Sequence, residues 1–137
     1  MRGMKFSEIV KVNNVVNKTL NKMQGIYSSE RFRIKLENNL IMIFLRKIIG
    51  EKIMVHEEDK KIVGTIAIHG NLMGNLFVDP DYQGKGIGSR LLKNTEDIIS
   101  KKYKYAKFFS YRNAVPLHKK RGYVIKNKNN LLMVKKI

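Results

Sequence analysis

The run Leu76-Phe77-Val78-Asp79-Pro80-Asp81-Tyr82-Gln83-Gly84-Lys85-Gly86-Ile87-Gly88 decides how this chain is read. Leu76 to Val78 end an apolar strand, and Asp79-Pro80 turns it. Three alternating glycines then lead into a helical pattern with Ile87, Leu91, Leu92, Thr95, Ile98 and Ile99 on one face. Glycines at a helix start let backbone N–H groups converge on an anion, because no Cβ blocks the approach. The helix dipole adds partial positive charge at the same point. A phosphorylated ligand is the expected occupant. Two common phosphate loops are excluded by spacing. A G-x-G-x-x-G/A fingerprint started at Gly84 ends on Ser89, and the chain has no G-x-x-x-x-G-K-[ST] run.

Outward from this run the chain alternates strand and helix signals. Lys52 to His56 and Lys61 to His69 are rich in β-branched residues around Glu57-Glu58-Asp59-Lys60, which predicts an antiparallel hairpin. Gly70-Asn71 turns the chain into Leu72 to Val78. After the helix, Ala106 to Ser110 reads as a strand and Asn113 to Arg121 as a short helix closed by Gly122. Tyr123 to Lys126 and Leu131 to Lys135 read as a closing hairpin. Upstream, Ile9, Val12, Val16, Leu20 and Met23 recur at helical spacing, with Ser7 as the predicted N-cap and Gly25 as the stop. Ser28 to Ile49 is a second, broken helical region whose apolar face is Leu36, Leu40, Ile41, Phe44, Leu45 and Ile48. Both stripes are expected to pack into the core.

The 137 residues suffice for one domain with a real core, so a single domain over residues 1–137 is expected. The chain has no cysteine, which excludes disulfides, thiolate metal sites and a Cys nucleophile. His56, His69 and His118 are scattered without metal-ligand spacing, so no metal is expected. No apolar run approaches the roughly 18 residues needed to span a bilayer. No secretory hydrophobic stretch follows the basic start, so a cytoplasmic protein without a membrane partner is the expectation. The net charge of +17 suits an anionic cofactor. Its lysines are dispersed and not interleaved with aromatics, so nucleic acid is not the expected main partner.

Gln83, Gly84, Gly86 and Gly88 after the V-D-P turn resemble the acyl-CoA loop of the GNAT N-acetyltransferase superfamily, Gln/Arg-x-x-Gly-x-Gly/Ala. About 25 residues on, Asn113-Ala114-Val115-Pro116-Leu117-His118-Lys119-Lys120-Arg121-Gly122-Tyr123 resembles the late GNAT motif N-A-x-P-F-Y-x-K-x-G-F. His118 stands where that motif usually has Tyr. The resemblance covers roughly residues 50 to 135. It implies an α/β (α+β) fold, with a mixed, mainly antiparallel sheet flanked by helices on both faces. It implies acetyl-CoA as cosubstrate, with Leu76, Phe77 and Val78 on the pantetheine arm. Gln83, Gly84, Lys85, Gly86, Ile87, Gly88 and Ser89 would cradle the pyrophosphate, and Asn113 would approach the pantetheine or thiol.

The implied reaction is direct acetyl transfer to an amine in a ternary complex. A backbone N–H near Val78 is the expected oxyanion donor. No carboxylate lies in Met73-Gly74-Asn75, where many relatives carry a Glu base. His69, His56, Glu57 and Glu58 are the candidate bases, with His69 the foremost. His118, as an imidazolium, would protonate the departing sulfur, with Tyr111 and Tyr123 as neighbouring alternatives. The acceptor, a small molecule or a peptide amine, is left open, as is a homodimer. The alternatives are a CoA-binding module without catalysis and a basic nucleic-acid-binding protein.

Overall fold

The computed structural model describes residues 1–22 and 28–137, with the side chains of Ser28 and Asn113 also set aside. Met23 and Gly25, the expected last stripe residue and stop of the first helix, lie outside the described residues. The elements in chain order are β1 (Arg2–Gly3), α1 (Ile9–Lys22), α2 (Ser28–Glu37), α3 (Leu40–Ile48), β2 (Lys52–Glu58), β3 (Lys61–His69) and β4 (Leu72–Val78). They continue with α4 (Ile87–Ser100), β5 (Tyr105–Phe109), α5 (Val115–Lys120), β6 (Val124–Asn127) and β7 (Leu132–Lys136). Among the described residues, seven strands form one sheet in the order β1-β2-β3-β4-β5-β7-β6. All neighbours are antiparallel except β4 and β5.

Each face of the sheet carries its own apolar layer. On one, Ile87, Leu91, Leu92 and Ile99 of α4 pack with Val63, Met73, Phe108 and Tyr123. On the other, Val12, Val16 and Leu20 of α1, with Ile34 and Ile43, cover Ile53, Val55 and Phe77. Covered on both faces, β3 reads as an unbroken apolar run from Ile62 to Ile68 apart from Gly64 and Thr65. Gly64 is needed for close packing, because a Cβ there would lie 2.8 Å from Leu91 Cδ1 and 3.2 Å from Ile87 Cγ2.

The pairing of β3 with β4 is irregular at one point. Thr65 pairs with Phe77, but Ala67 pairs with Gly74, so β4 advances by one residue more than β3. The extra residue makes a β-bulge, and Asn75 takes the left-handed conformation, φ 51°. Asn tolerates that region better than most side chains. Asn38 donates to Asn75 Oδ1 at 3.0 Å, and Arg46 donates to Asn38 Oδ1 at 3.0 Å. The α2–α3 junction thus holds the bulge in place.

Two sequence expectations are corrected by the fold, and one strand was not foreseen. Ser7 is not the N-cap of α1: the Glu8 carboxylate accepts from Arg2 and from the Lys5 amide (2.8 Å), winding Phe6–Glu8 into a separate 3-10 turn. β1 carries no sequence signal, since two residues pairing with Met54 and Val55 are too short for a period. The apolar face of α2 and α3 does not enter the core. Leu36, Leu40, Ile41, Phe44, Leu45 and Ile48 are all exposed, and only Ile34 and Ile43 are buried. The inward side of this segment is occupied by polar anchors: Asn39 caps α3 through the Met42 amide (2.9 Å), and Arg46 holds Glu51 and the Glu37 carbonyl. The wider apolar arc is left facing out.

Candidate active site

The parallel pair is where the sheet opens. β4 and β5 meet only at Leu72 and Lys107, beside a bond from the Lys107 amide to the Asn71 carbonyl (3.0 Å). Beyond that point β4 stays with β3 and β5 stays with β7, so the two strands diverge. A cavity of about 510 Å³ fills the split. Gly74 to Val78 form one wall, Phe108 to Tyr111 with Leu117, His118 and Arg121 form the other, and Gln83, Gly84 and Gly86 to Ser89 stand at the mouth.

The backbone of β4 is turned to this split at alternate residues. The Asp79 amide donates to the Val63 carbonyl at 2.7 Å, toward β3. Val78 and Leu76 therefore direct their N–H groups the other way. The Val78 carbonyl is already held, by Thr19 Oγ1 (3.0 Å) and Gln83 Nε2 (2.9 Å). Gln83 thus ties the glycine loop to the end of β4.

Gly84 and Gly86 both have φ +79°, a region that costs a Cβ-bearing residue about 1–2 kcal/mol. A Cβ at either would project into open space. Arg90 N donates to Gly86 O (3.0 Å) and closes the first turn of α4, so the Ile87, Gly88 and Ser89 amides precede any intrahelical acceptor. Arg121 reaches across from the end of α5 and donates to Ser89 Oγ at 2.6 Å. Dipole, amides and a guanidinium converge on one spot, a strong anion site.

Most of the predicted residues meet in this cavity. Leu76, Phe77, Val78, Gln83, Gly84, Gly86, Ile87, Gly88, Ser89 and His118 line it. Lys85 does not line it; its ammonium lies 5.0 Å from the centre of the Tyr82 ring. Asn113 sits in the 3-10 turn Arg112–Ala114, with its side chain outside the description. His69 lines a second cavity of about 660 Å³, with Glu30, Arg33, Glu37 and Glu51. The two cavities share Met73 to Asn75 and Phe109 to Tyr111, so they meet across the split.

The remaining candidate bases are engaged elsewhere. His56 bonds Glu58 at 3.1 Å, Glu57 pairs with Arg2, and none of the three lines either cavity. Sequence reasoning searched β4 for a carboxylate and missed those that α2 and Glu51 bring to the second cavity. It also missed Arg121 and Thr19, because a contact across the fold leaves no local pattern.

The proton inventory differs from expectation. His118 packs edge-on against Phe108, centroids 4.4 Å apart, and its Nδ1 is buried without a hydrogen-bond partner. Burial, and then the Arg121 charge, push its pKa down to about 4. The ring is neutral at pH 7, so the imidazolium expected as proton donor is not the resting form. Tyr123 donates to Glu96 Oε1 at 2.7 Å and is committed to that bond. Tyr111 lines both cavities, and burial pushes its phenol up to about 12. It stays protonated at neutral pH.

Burying the His118 ring makes stability depend on pH. The folded-state pKa of about 4 lies below the ordinary 6.5, so the unfolded chain binds more protons between those values. His118 therefore destabilises the fold as pH falls from 6.5 to 4, by about 1–2 kcal/mol once its partial exposure is discounted. Urea melts of wild type and His118→Phe across that range should show the variant losing less stability. Parallel pH profiles would refute the assignment.

A mixed sheet opened beside one parallel pair, with a glycine-bridged helix N-terminus at its mouth, forms a cleft shaped for a phosphorylated ligand. The family profile described as the acetyltransferase (GNAT) domain matches residues 33–131. The chain belongs to the GNAT family. Among solved structures it is similar to a GCN5-related N-acetyltransferase from Rhodopseudomonas palustris, with a TM-score of 0.86 and 20% identity over 99% of this chain and 94% of that one. It is also similar to PaiA N-acetyltransferase from Thermoplasma acidophilum in complex with coenzyme A, with a TM-score of 0.81 and 21% identity over 99% and 97%. A GNAT acetyltransferase from Brucella melitensis in complex with acetyl-CoA gives 0.71 and 14% over 99% and 86%. No curated protein matches the sequence.

Proposed function

We propose that residues 1–137 form one acetyl-CoA-dependent N-acetyltransferase domain, which transfers the acetyl group directly to an amine. The observation that carries this reading is the split beside β4, with alternate backbone amides turned into it and the α4 N-terminus at its mouth. The Ile87, Gly88 and Ser89 amides and Arg121 would hold the diphosphate. Pantetheine would lie along Leu76 to Val78 as an added strand. An arm running from the mouth toward the Asn75 bulge brings the thioester to the Leu76 end, where a β4 N–H stabilises the oxyanion.

The amine enters from the second cavity and attacks the thioester carbonyl. An N–C bond forms and the C–S bond breaks. The amine's proton passes to a carboxylate of that cavity, Glu37 or Glu30, or through water to His69. His69 sits opposite Leu72, four residues from Leu76 and so about 13 Å away along the strand, too far for direct transfer. The sulfur leaves as a thiolate, whose ordinary pKa of about 8.5 makes it a tolerable leaving group. The thiolate takes its proton from water on release; protonated Tyr111 and neutral His118 would offer it hydrogen bonds as it leaves.

Thiol release tests this reading. Purified protein with acetyl-CoA and a panel of amines, peptides included, should release free CoA thiol in an amine-dependent reaction. Binding without turnover across the panel would favour the CoA-binding module instead. Absence of acetyl-CoA binding, with tight and salt-sensitive binding to arbitrary DNA or RNA, would favour the nucleic-acid reading.

A further inference from the structure

The outward arc of α2 and α3 is covered by none of the described residues. Ile41 and Ile49 are 71% exposed, Phe32 69% and Ile48 56%. At 100° per residue, Leu40 to Ile49 place six apolar side chains across about half the circumference of α3, with Ile43 alone turned in. Phe6 extends the patch, meeting Phe44 edge-on with centroids 5.6 Å apart. Contiguous apolar surface on this scale marks an interaction site.

The rim of the patch is basic. On α2, Arg33 and Lys35 lie on either side of Phe32 and Leu36. On α3, Lys47 lies 5.0 Å from the Phe6 ring centre. Carboxylates near the rim are already paired: Glu37 with Arg33 at 3.6 Å, and Glu51 with Arg46. Neither Lys35 nor Lys47 has a carboxylate partner among the described residues; Lys35 is exposed, and the half-buried Lys47 donates to the Met4 carbonyl at the patch edge.

We propose that this face docks on an anionic phospholipid surface, with the apolar arc in the headgroup–acyl boundary and the lysines on lipid phosphates. Charge complementarity selects this occupant. In a two-fold pair this face would meet itself, setting Lys35 and Lys47 of two chains of +17 against one another. A bilayer bearing anionic headgroups supplies the opposite sign and an apolar interior together. No helix is long and apolar enough to cross a membrane among the described residues, so the contact is in the plane of the surface. The sequence expectation of no membrane partner considered only spanning runs.

Vesicle co-sedimentation tests the proposal with the whole chain. Phosphatidylcholine vesicles with about 30 mol% phosphatidylglycerol, in about 0.15 M salt, should bind at least about tenfold more protein than pure phosphatidylcholine. The pair Ile41→Gln and Ile48→Gln, which removes apolar surface but no charge, should cut that binding at least about tenfold. Both residues are exposed, so the fold should persist, as circular dichroism would show. The chain has no Trp, so Ile41→Trp supplies a single reporter whose emission should shift blue on anionic vesicles. Absence of vesicle binding, or binding unchanged in the Gln pair, overturns the proposal. So does a dimer in solution that the Gln pair dissociates.

Discussion

Gly86→Glu is expected to weaken acetyl-CoA binding by at least about a hundredfold while leaving the chain folded. Gly86 caps α4 at φ +79°, and a Cβ added there would point into open space at the cavity mouth. A glutamate would carry its carboxylate to the place where the Ile87, Gly88 and Ser89 amides converge. Two unit charges 4 Å apart repel by about 4 kcal/mol at an effective dielectric of 20, more than the roughly 2.7 kcal/mol that a hundredfold loss requires. The left-handed backbone adds strain of about 1–2 kcal/mol. Gly86→Asn separates the two effects, since Asn tolerates that conformation and carries no charge. Calorimetry should show the Asn variant within about tenfold of wild type. Equal binding by the Glu and Asn variants would remove the diphosphate from this loop.

Lys135→Met is expected to cost about 2–3 kcal/mol of stability. Glu96 lies on α4 with its side chain only 8% exposed, and it is held by the Lys135 ammonium (3.2 Å) and the Tyr123 hydroxyl (2.7 Å). Removing one partner of a buried pair leaves a charge without its counter-ion, at about 3–5 kcal/mol, and here the Tyr123 hydroxyl still compensates it in part. The figure is reduced here because Lys135 is 29% exposed. Adding Glu96→Gln to Lys135→Met should recover at least about 1 kcal/mol, because the unpaired charge goes with it. Thermal and denaturant melts measure both. A double variant less stable than Lys135→Met alone would show that packing, not charge, is what the pair supplies. The network also matters to the site: the Tyr123 ring stacks edge-on against Phe108, in the cavity wall, at 4.7 Å.

The residues that were legible in the sequence are those whose role is local. Gly84 and Gly86 are read directly, because positive φ at a helix start calls for glycine wherever the loop sits. The strands β2, β3 and β4 and the helix α4 follow from period and turn residues, with bounds shifted by only one or two positions. The second helical region was expected to be broken, and the structure places the break at Asn38-Asn39, where Asn39 caps α3.

Where the outcome depended on a neighbour in space, sequence reasoning failed. The α3 stripe looks like core, since a periodic apolar face says how a helix is sided and not what lies against it. His118 looks like a switch near neutral pH until Phe108 and Tyr123 are packed against it. Arg121 looks like one more surface cation until it reaches Ser89.

By itself, then, the sequence determined the order of elements from α1 onward and the glycine-bridged turn from β4 to α4. These rest on backbone sterics and short-range periodicity, which act within a few residues. Only the tertiary structure decided where β4 and β5 part, which amides the split exposes and which histidine stays neutral. It also decided which carboxylates line the second cavity and which apolar face the described residues leave uncovered. Those depend on burial and on charges brought together from distant parts of the chain, where desolvation and pairing outweigh local preference.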